Sequence, residues 1–326
     1  MTRNASEAGR WALLLAAGDG TRLRELTEAH GVSAPKQYCA VGGERTLLEL
    51  ACERAHRVVP ATNVLAVVAE GHRRFWRRDL AGFGDRSILV QPSNRGTGVG
   101  ILLPLLELAA RAPEATVALL PCDHHVLGER ALAGALRSAF AAAERPGGRI
   151  VLLGLTPETP AGDLGWIVPG RAFASGDGAA VEAFVEKPGA AGARELAARG
   201  GLWNGFFVVA RLASLLDLYR ARMPRLVERL ERARAAGPGA LADCYAALEP
   251  VDFSRDLLQG AEARLAVLPV PPCGWSDLGT PERVVERLRT LASLRRLRPP
   301  AAGVPALTLA MAVAARGFDA AERVLA

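Results

Sequence analysis

An α/β fold built on one layered sheet is the class this sequence predicts, on three observations. Short apolar runs recur along the chain, Gly or Pro bounds them, and longer segments of helical period separate them. At 326 residues the chain suits one such domain with insertions and a tail.

The first run, residues 11–16, is uninterrupted Trp-Ala-Leu-Leu-Leu-Ala, as expected of a strand buried on both faces. Behind Arg10 it also resembles a signal-peptide core. Gly18-Asp19-Gly20-Thr21-Arg22 follows it, however, and that is not a small-residue cleavage site. Further strands are expected at 63–69, 87–91, 116–120 and 150–155, and helices at 46–57, 71–80, 98–111 and 129–143. This half reads as a doubly wound nucleotide-binding unit. From residue 165 the rhythm changes to strand pieces at 165–168, 180–186, 202–209 and 263–268, interrupted by a helical stretch over 211–248. These form a second, substrate-facing half on the same sheet, which is expected to be mixed, mostly parallel and flanked by helices. Thr280-Pro281 opens a helix expected to reach residue 297. Pro299-Pro300 breaks it, and a short helical C-terminal tail closes the chain, placed on its own domain or on a second copy in a homodimer. The absence of any internal repeat excludes an appended β-helix.

Half of the residues are hydrophobic and 23% charged, an ordinary globular balance. A net charge of +6 raises the question of nucleic acid. The arginines are nevertheless spread along the chain, often beside Glu as in 227–232, which marks solvated helix faces. The dense patch of Arg73, Arg74, Arg77 and Arg78 around Phe75 and Trp76 reads the same way, so no nucleic-acid partner is expected. No apolar run of about 18 residues occurs, so no membrane span is expected. The 5 cysteines contain no Cys-x-x-Cys pair, so neither a disulfide framework nor a zinc ribbon is expected, and the cytoplasm is the expected compartment. Cys122-Asp123-His124-His125 leave a strand in alternating directions and cannot converge on one zinc ion.

Of 40 basic residues, only Lys36 and Lys187 are lysines, and both sit beside Pro, in Ala-Pro-Lys36-Gln-Tyr and Val-Glu-Lys187-Pro188. Lysine is a compact point charge suited to a single phosphate oxygen, whereas arginine forks onto two acceptors. Ala17, Gly18, Gly20, Thr21 and Arg22 follow the first strand, where closely spaced glycines bring backbone N–H groups to phosphate oxygens and Arg22 and Lys36 would neutralise charge. Leu23 stands where a dinucleotide fingerprint needs Gly, and no Gly-Lys-Ser/Thr P-loop occurs.

Beyond this loop, the chain carries Gln91-Pro-Ser-Asn-Arg-Gly-Thr97-Gly, Leu-Pro-Cys-Asp123-His-His-Val, Leu-Gly165-Trp-Ile, Phe-Val-Glu186-Lys187-Pro, Leu-Trp-Asn204-Gly and Gly-Trp-Ser-Asp277-Leu-Gly. In this order they resemble the mannose-1-phosphate guanylyltransferases, over roughly residues 11–290. The resemblance implies a Rossmann-like nucleotide-diphospho-sugar transferase fold, with a catalytic domain at 10–290 and a tail at 291–326. It implies GTP and a sugar 1-phosphate as partners and Mg²⁺ as cofactor, held by Asp123 and Asp277. It implies Arg22 and Lys36 on the triphosphate and Lys187 on the sugar phosphate. Glu186 and Asn204 would meet sugar hydroxyls, Gly165 would leave room for the ring, and Gln91 and Thr97 would line the base pocket. Two departures leave the hexose open: Asn204 and Gly205 are adjacent where the family inserts a small residue, and Arg255 stands at a usually apolar position. A cytidylyltransferase of isoprenoid synthesis has a similar start but lacks the Glu-Lys-Pro and Trp-x-Asp-x-Gly elements. A silent sugar-nucleotide sensor would not need Lys36, Asp123, Lys187 and Asp277 together.

Overall fold

The uninterrupted apolar run folds as the central strand β1, Arg10–Ala16, in a computed structural model that describes residues 9–20, 34–176, 178–294, 296–301 and 303–307. Twelve more strands follow: β2 Ala40–Val41, β3 Val64–Ala69, β4 Ile88–Gln91, β5 Thr116–Pro121, β6 His125–Val126, β7 Ile150–Leu155, β8 Gly165–Ala172, β9 Ala179–Val185, β10 Leu202–Arg211, β11 Leu265–Pro269, β12 Trp275–Ser276 and β13 Ala306–Leu307. The helices are α1 Leu47–His56, α2 Arg73–Asp79, α3 Gly96–Arg111, α4 Glu129–Ala143, α5 Gly189–Ala198, α6 Leu212–Arg222, α7 Pro224–Ala236, α8 Pro238–Ala246 and α9 Pro281–Ser293.

β1 lies between β3 and β5, parallel to both, with Leu14 opposite Ala66 and Leu120. Both of its faces are covered: Leu14 joins a core with α1, α4 and α9, while Leu13 joins one with α3, α6, α7 and α8. That two-sided burial is why the strand shows no polar alternation. α1 starts at a capping box, in which Glu49 N–H donates to Thr46 Oγ1 and Thr46 N–H donates back to the Glu49 carboxylate.

The sheet runs β4-β3-β1-β5-β10-β7-β11-β9-β8, and β8 also pairs with β10, so its last five strands close on themselves. The expected mostly parallel sheet needs correcting. β1, β3, β4 and β5 are parallel throughout, but β10 enters antiparallel to β5, β7 and β8, and β9 is antiparallel to β8 and β11. The reason is local. β8 and β9 form a hairpin rather than a crossover, and Asn204–Val208 carries a register shift that lets β10 serve two neighbours.

Three helical expectations also change. The stretch 211–248 is three helices, broken where Pro224 and Gly237-Pro238 stop the backbone ladder. α5 was not anticipated. α9 stops at Ser293, and the described tail is not helical: Arg298 N–H donates to Gly42, Ala301 N–H to Glu44, and β13 pairs parallel with β2. The rest of the tail lies outside the described residues. No helix among the described residues is long and apolar enough to cross a membrane.

Candidate active site

The loop that follows β1 is held from behind. The Gln37 amide donates to the carbonyls of Ala16 and Gly18 at 3.0 and 2.7 Å, and the Tyr38 hydroxyl donates to Ala16 at 3.0 Å. Gly20 has φ +62° and a Cβ there would lie 2.9 Å from the Lys36 backbone nitrogen, so only glycine brings the loop this close. Lys36 is buried, and its Nζ sits 2.8 Å from Asp123 Oδ2 and donates to the Asp277 carbonyl at 2.5 Å.

One ammonium thus ties together two acidic segments that are 154 residues apart in the chain (277 − 123). Asp123 follows β5, Asp277 follows β12, and β6 and β12 pair as a small antiparallel ribbon that fixes their spacing. Burial alone would raise the Asp123 pKa, but the Lys36 ammonium and His124 outweigh it and hold the carboxyl at about 2. Arg283 places one Nη 3.0–3.1 Å from both Asp277 oxygens and also grips Asp163 at 2.6 Å, locking the second loop.

On the opposite wall, Gly165 lines the same cleft. A Cβ there would meet Glu186 Oε2 at 2.6 Å and Asn204 Nδ2 at 3.3 Å, so the missing side chain makes room for these two polar groups. Asn204 Oδ1 accepts from the Phe206 N–H at 3.1 Å, across the bulge. Lys187 lies 3.3 Å from the Glu186 carboxylate. At the far end Gln91 is buried, and its Oε1 has no partner among the described residues. The Thr97 hydroxyl oxygen accepts from the Phe253 N–H at 2.9 Å and thereby fixes a π turn at Phe253–Leu258. Among the described residues the non-glycine residues with left-handed backbone are Lys187, Phe206 and Leu278, and all three line the same cleft. Such strain persists only where surrounding structure enforces it, and it concentrates at binding sites.

That cleft has a volume of about 600 Å³ and is lined by Ala17, Gly18, Gly20, Lys36, Gln91, Thr97, Asp123, Gly165, Glu186, Lys187, Asn204 and Asp277. Thr21 and Arg22 lie outside the described residues. Sequence reasoning overlooked Gln37 and Tyr38 as buttresses, the Asp163–Arg283 clamp, and His124, Phe206 and Ser254 as lining groups. The Trp-Ser-Asp and Asp-His motifs carried a signal for His124, whereas nothing local marked Asp163.

The donor set suits a hard divalent ion. Asp123 is an ionised oxygen donor, Asp277 brings a second carboxylate on the same wall, and no group of three or more Asp, Glu, His or Cys able to hold a metal ion forms among the described residues. A Mg²⁺ that takes two carboxylates completes its shell with substrate phosphates and water. The Cys122-Asp123-His124-His125 run diverges, since Cys122 Sγ turns back to the Leu120 carbonyl and His125 is buried near Arg287 and Arg54.

Glu186 supplies a pH test. Burial raises its pKa, with Lys187 opposing. A raised carboxyl pKa means the folded state disfavours the ionised form, so the penalty is present at neutral pH and disappears below the ordinary carboxylate range. Glu186→Gln is therefore expected to melt no lower than the wild type at pH 8, with any advantage lost by pH 4. Its kcat/KM should fall about 10–100-fold, the worth of a charged hydrogen bond. Melting scans at both pH values check the first part; a variant less stable at pH 8 than at pH 4, each relative to wild type, contradicts it.

Comparison with known proteins gives a consistent picture. A model of the family described as nucleotidyl transferase matches residues 11–293. The xanthan biosynthesis protein XanB of Xanthomonas campestris is 31% identical over 278 residues, covering 82% of this chain and 57% of that protein. A mannose-1-phosphate guanylyltransferase of Escherichia coli is 28% identical over 219 residues, covering 64% of this chain and 46% of that one. The chain thus spans about half the length of these curated relatives. Among solved structures, a mannose-1-phosphate geranyltransferase from Thermus thermophilus superposes with TM-score 0.75 at 31% identity, covering 86% of this chain and 79% of that one.

Proposed function

Because the chain belongs to the nucleotidyl transferase family, we propose that it transfers GMP from GTP to a sugar 1-phosphate, with mannose 1-phosphate as the first candidate, giving a GDP-sugar and pyrophosphate. The observation that carries this reading is that the chain's two lysines face one cleft together with two carboxylates.

The attacking group is a phosphate monoester, which loses its second proton near pH 6, so no general base is needed at neutral pH. What the reaction needs is two anions brought together in line with their repulsion cancelled. Lys36, beside the glycine loop, would take the triphosphate, and Lys187, beside Glu186 and Asn204, would take the sugar phosphate. Arg22 would add a cation from the glycine-loop segment. Gln91 offers a buried, unpartnered oxygen to a base N–H, and Glu186 and Asn204 offer an acceptor and a donor to hydroxyls. Asp123 and Asp277 would hold Mg²⁺, which when bound neutralises charge on the phosphates. The relatives' names support mannose 1-phosphate and guanine, while the Asn204–Phe206 bulge and Arg255 are the features by which this pocket departs from the family pattern. The free cysteines suit a cytoplasmic enzyme.

Release of pyrophosphate from GTP, mannose 1-phosphate and Mg²⁺ tests the reading, with ATP, CTP, UTP and glucose 1-phosphate as crossed alternatives. Turnover is expected to be highest with GTP. Preference for another nucleotide overturns the base assignment, and no pyrophosphate from any pair overturns the activity.

A further inference from the structure

His124 lies at the back of the carboxylate wall, and the contacts around it fix where its proton is. The Trp275 indole N–H, a group that donates only, points to His124 Nδ1 at 3.2 Å. Nδ1 must therefore be the accepting nitrogen, and the ring's single proton resides on Nε2. Nε2 lies 3.5 Å from Asp123 Oδ1, while the other oxygen of the same carboxylate is 2.8 Å from Lys36. At 3.5 Å the N–H acts mainly as an oriented dipole rather than a full hydrogen bond.

The imidazole cannot readily turn. The Trp275 ring lies edge to face with it at 5.2 Å, Phe207 does the same from another side at 6.3 Å, and Trp275 itself leans on Trp203 at 6.1 Å. β6 and β12 place Trp275 opposite Val126 and Ser276 opposite His125, so the ribbon that spaces the two acidic loops also delivers the indole to the imidazole.

We infer that His124 is a positioning residue for Asp123: held as the Nε2–H tautomer by Trp275, it aligns the carboxylate that Lys36 grips from the other side, so that the carboxylate would be available to hold a divalent ion. Groups that orient a ligating carboxylate typically matter 10–100-fold to affinity or turnover. The role in turnover rests on the proposed function; the tautomer does not.

In protein labelled with ¹⁵N-histidine, two-bond ¹H–¹⁵N spectra identify His124 by the signals lost in His124→Gln. The wild type is expected to show the Nε2–H pattern. Trp275→Phe, which keeps an aromatic ring and loses the donor, should admit the Nδ1–H form. An Nδ1–H pattern in the wild type, or an unchanged one in Trp275→Phe, overturns the inference without any assay. In the turnover arm, His124→Phe should lower kcat and raise the Mg²⁺ concentration needed for half-maximal rate, each within about 10–100-fold. His124→Gln returns an amide N–H near the Nε2 position and should recover a substantial part of the loss. Equal losses in Gln and Phe would mean the ring only fills space, and would also overturn it. If the wild type turns over no substrate pair, the activity reading fails and the spectra alone decide the tautomer.

Discussion

Lys36→Arg is expected to lower kcat/KM about 10²–10³-fold, the scale of losing one preorganised electrostatic contact, although the charge is retained. The ammonium is confined: it has Asp123 Oδ2 at 2.8 Å and the Asp277 carbonyl at 2.5 Å, and Gly20 closes against its backbone. A planar guanidinium is larger and directs its N–H groups in a fixed fork, so it must either displace the two acidic loops or withdraw from one of them. Lys187 is the internal control, because its side chain is 44% exposed and its partner Glu186 lies 3.3 Å away. With space to shift, Lys187→Arg should cost about tenfold, midway between no effect and a lost charged contact. Steady-state kinetics on both variants, with circular dichroism to verify folding, gives the ranking. Two equally small losses would show that either cation serves and would remove the reason for two lysines among 38 arginines (40 − 2).

Those lysines were legible because composition made them exceptions and Pro placed them in turns. The parallel half of the sheet was legible for a related reason: strands buried on both faces write continuous apolar runs, and β1, β3 and β5 each do so. The closing half was harder. β10 changes neighbours at a bulge, and the residue that takes the left-handed backbone there is Phe206, not Gly205, which no local pattern marks. Asp163 and Arg283 illustrate what a linear reading cannot supply. Their meeting depends on α9 packing across the loop before β8, a contact set by the closed sheet rather than by either residue's neighbours. The described start of the tail departs for a different reason: β13 finds a strand edge at β2, and pairing with an open edge outweighs helical propensity there.

Glu129 should be the costliest single residue to lose from the wall that supports the site. Its carboxylate meets Arg54 in a bidentate pair at 2.8 and 3.1 Å, and the Arg54 side chain is fully buried between α1, α4 and the ring of Phe207. The region already holds an excess of basic groups. His125 is pushed down to about 3 by burial, with Arg287 and Arg54 adding to the effect, and so stays neutral; Arg287 is lowered by burial. Arginine cannot escape by deprotonating, so Glu129→Ala leaves a buried guanidinium without a counter-charge, at a cost of about 3–5 kcal/mol in unfolding free energy. Loss of an acid from the first turn of α4 adds a few tenths more. The mechanism makes a second demand: Arg54→Met combined with Glu129→Leu removes both charges while keeping apolar volume, and should recover most of the loss. Denaturant unfolding of Arg54→Met, Glu129→Leu and their combination measures the coupling directly. If the double variant is as unstable as the sum of its singles, the pair is not what Glu129 contributes; if Glu129→Ala costs under about 1 kcal/mol, the guanidinium has found water, as an exposed pair would.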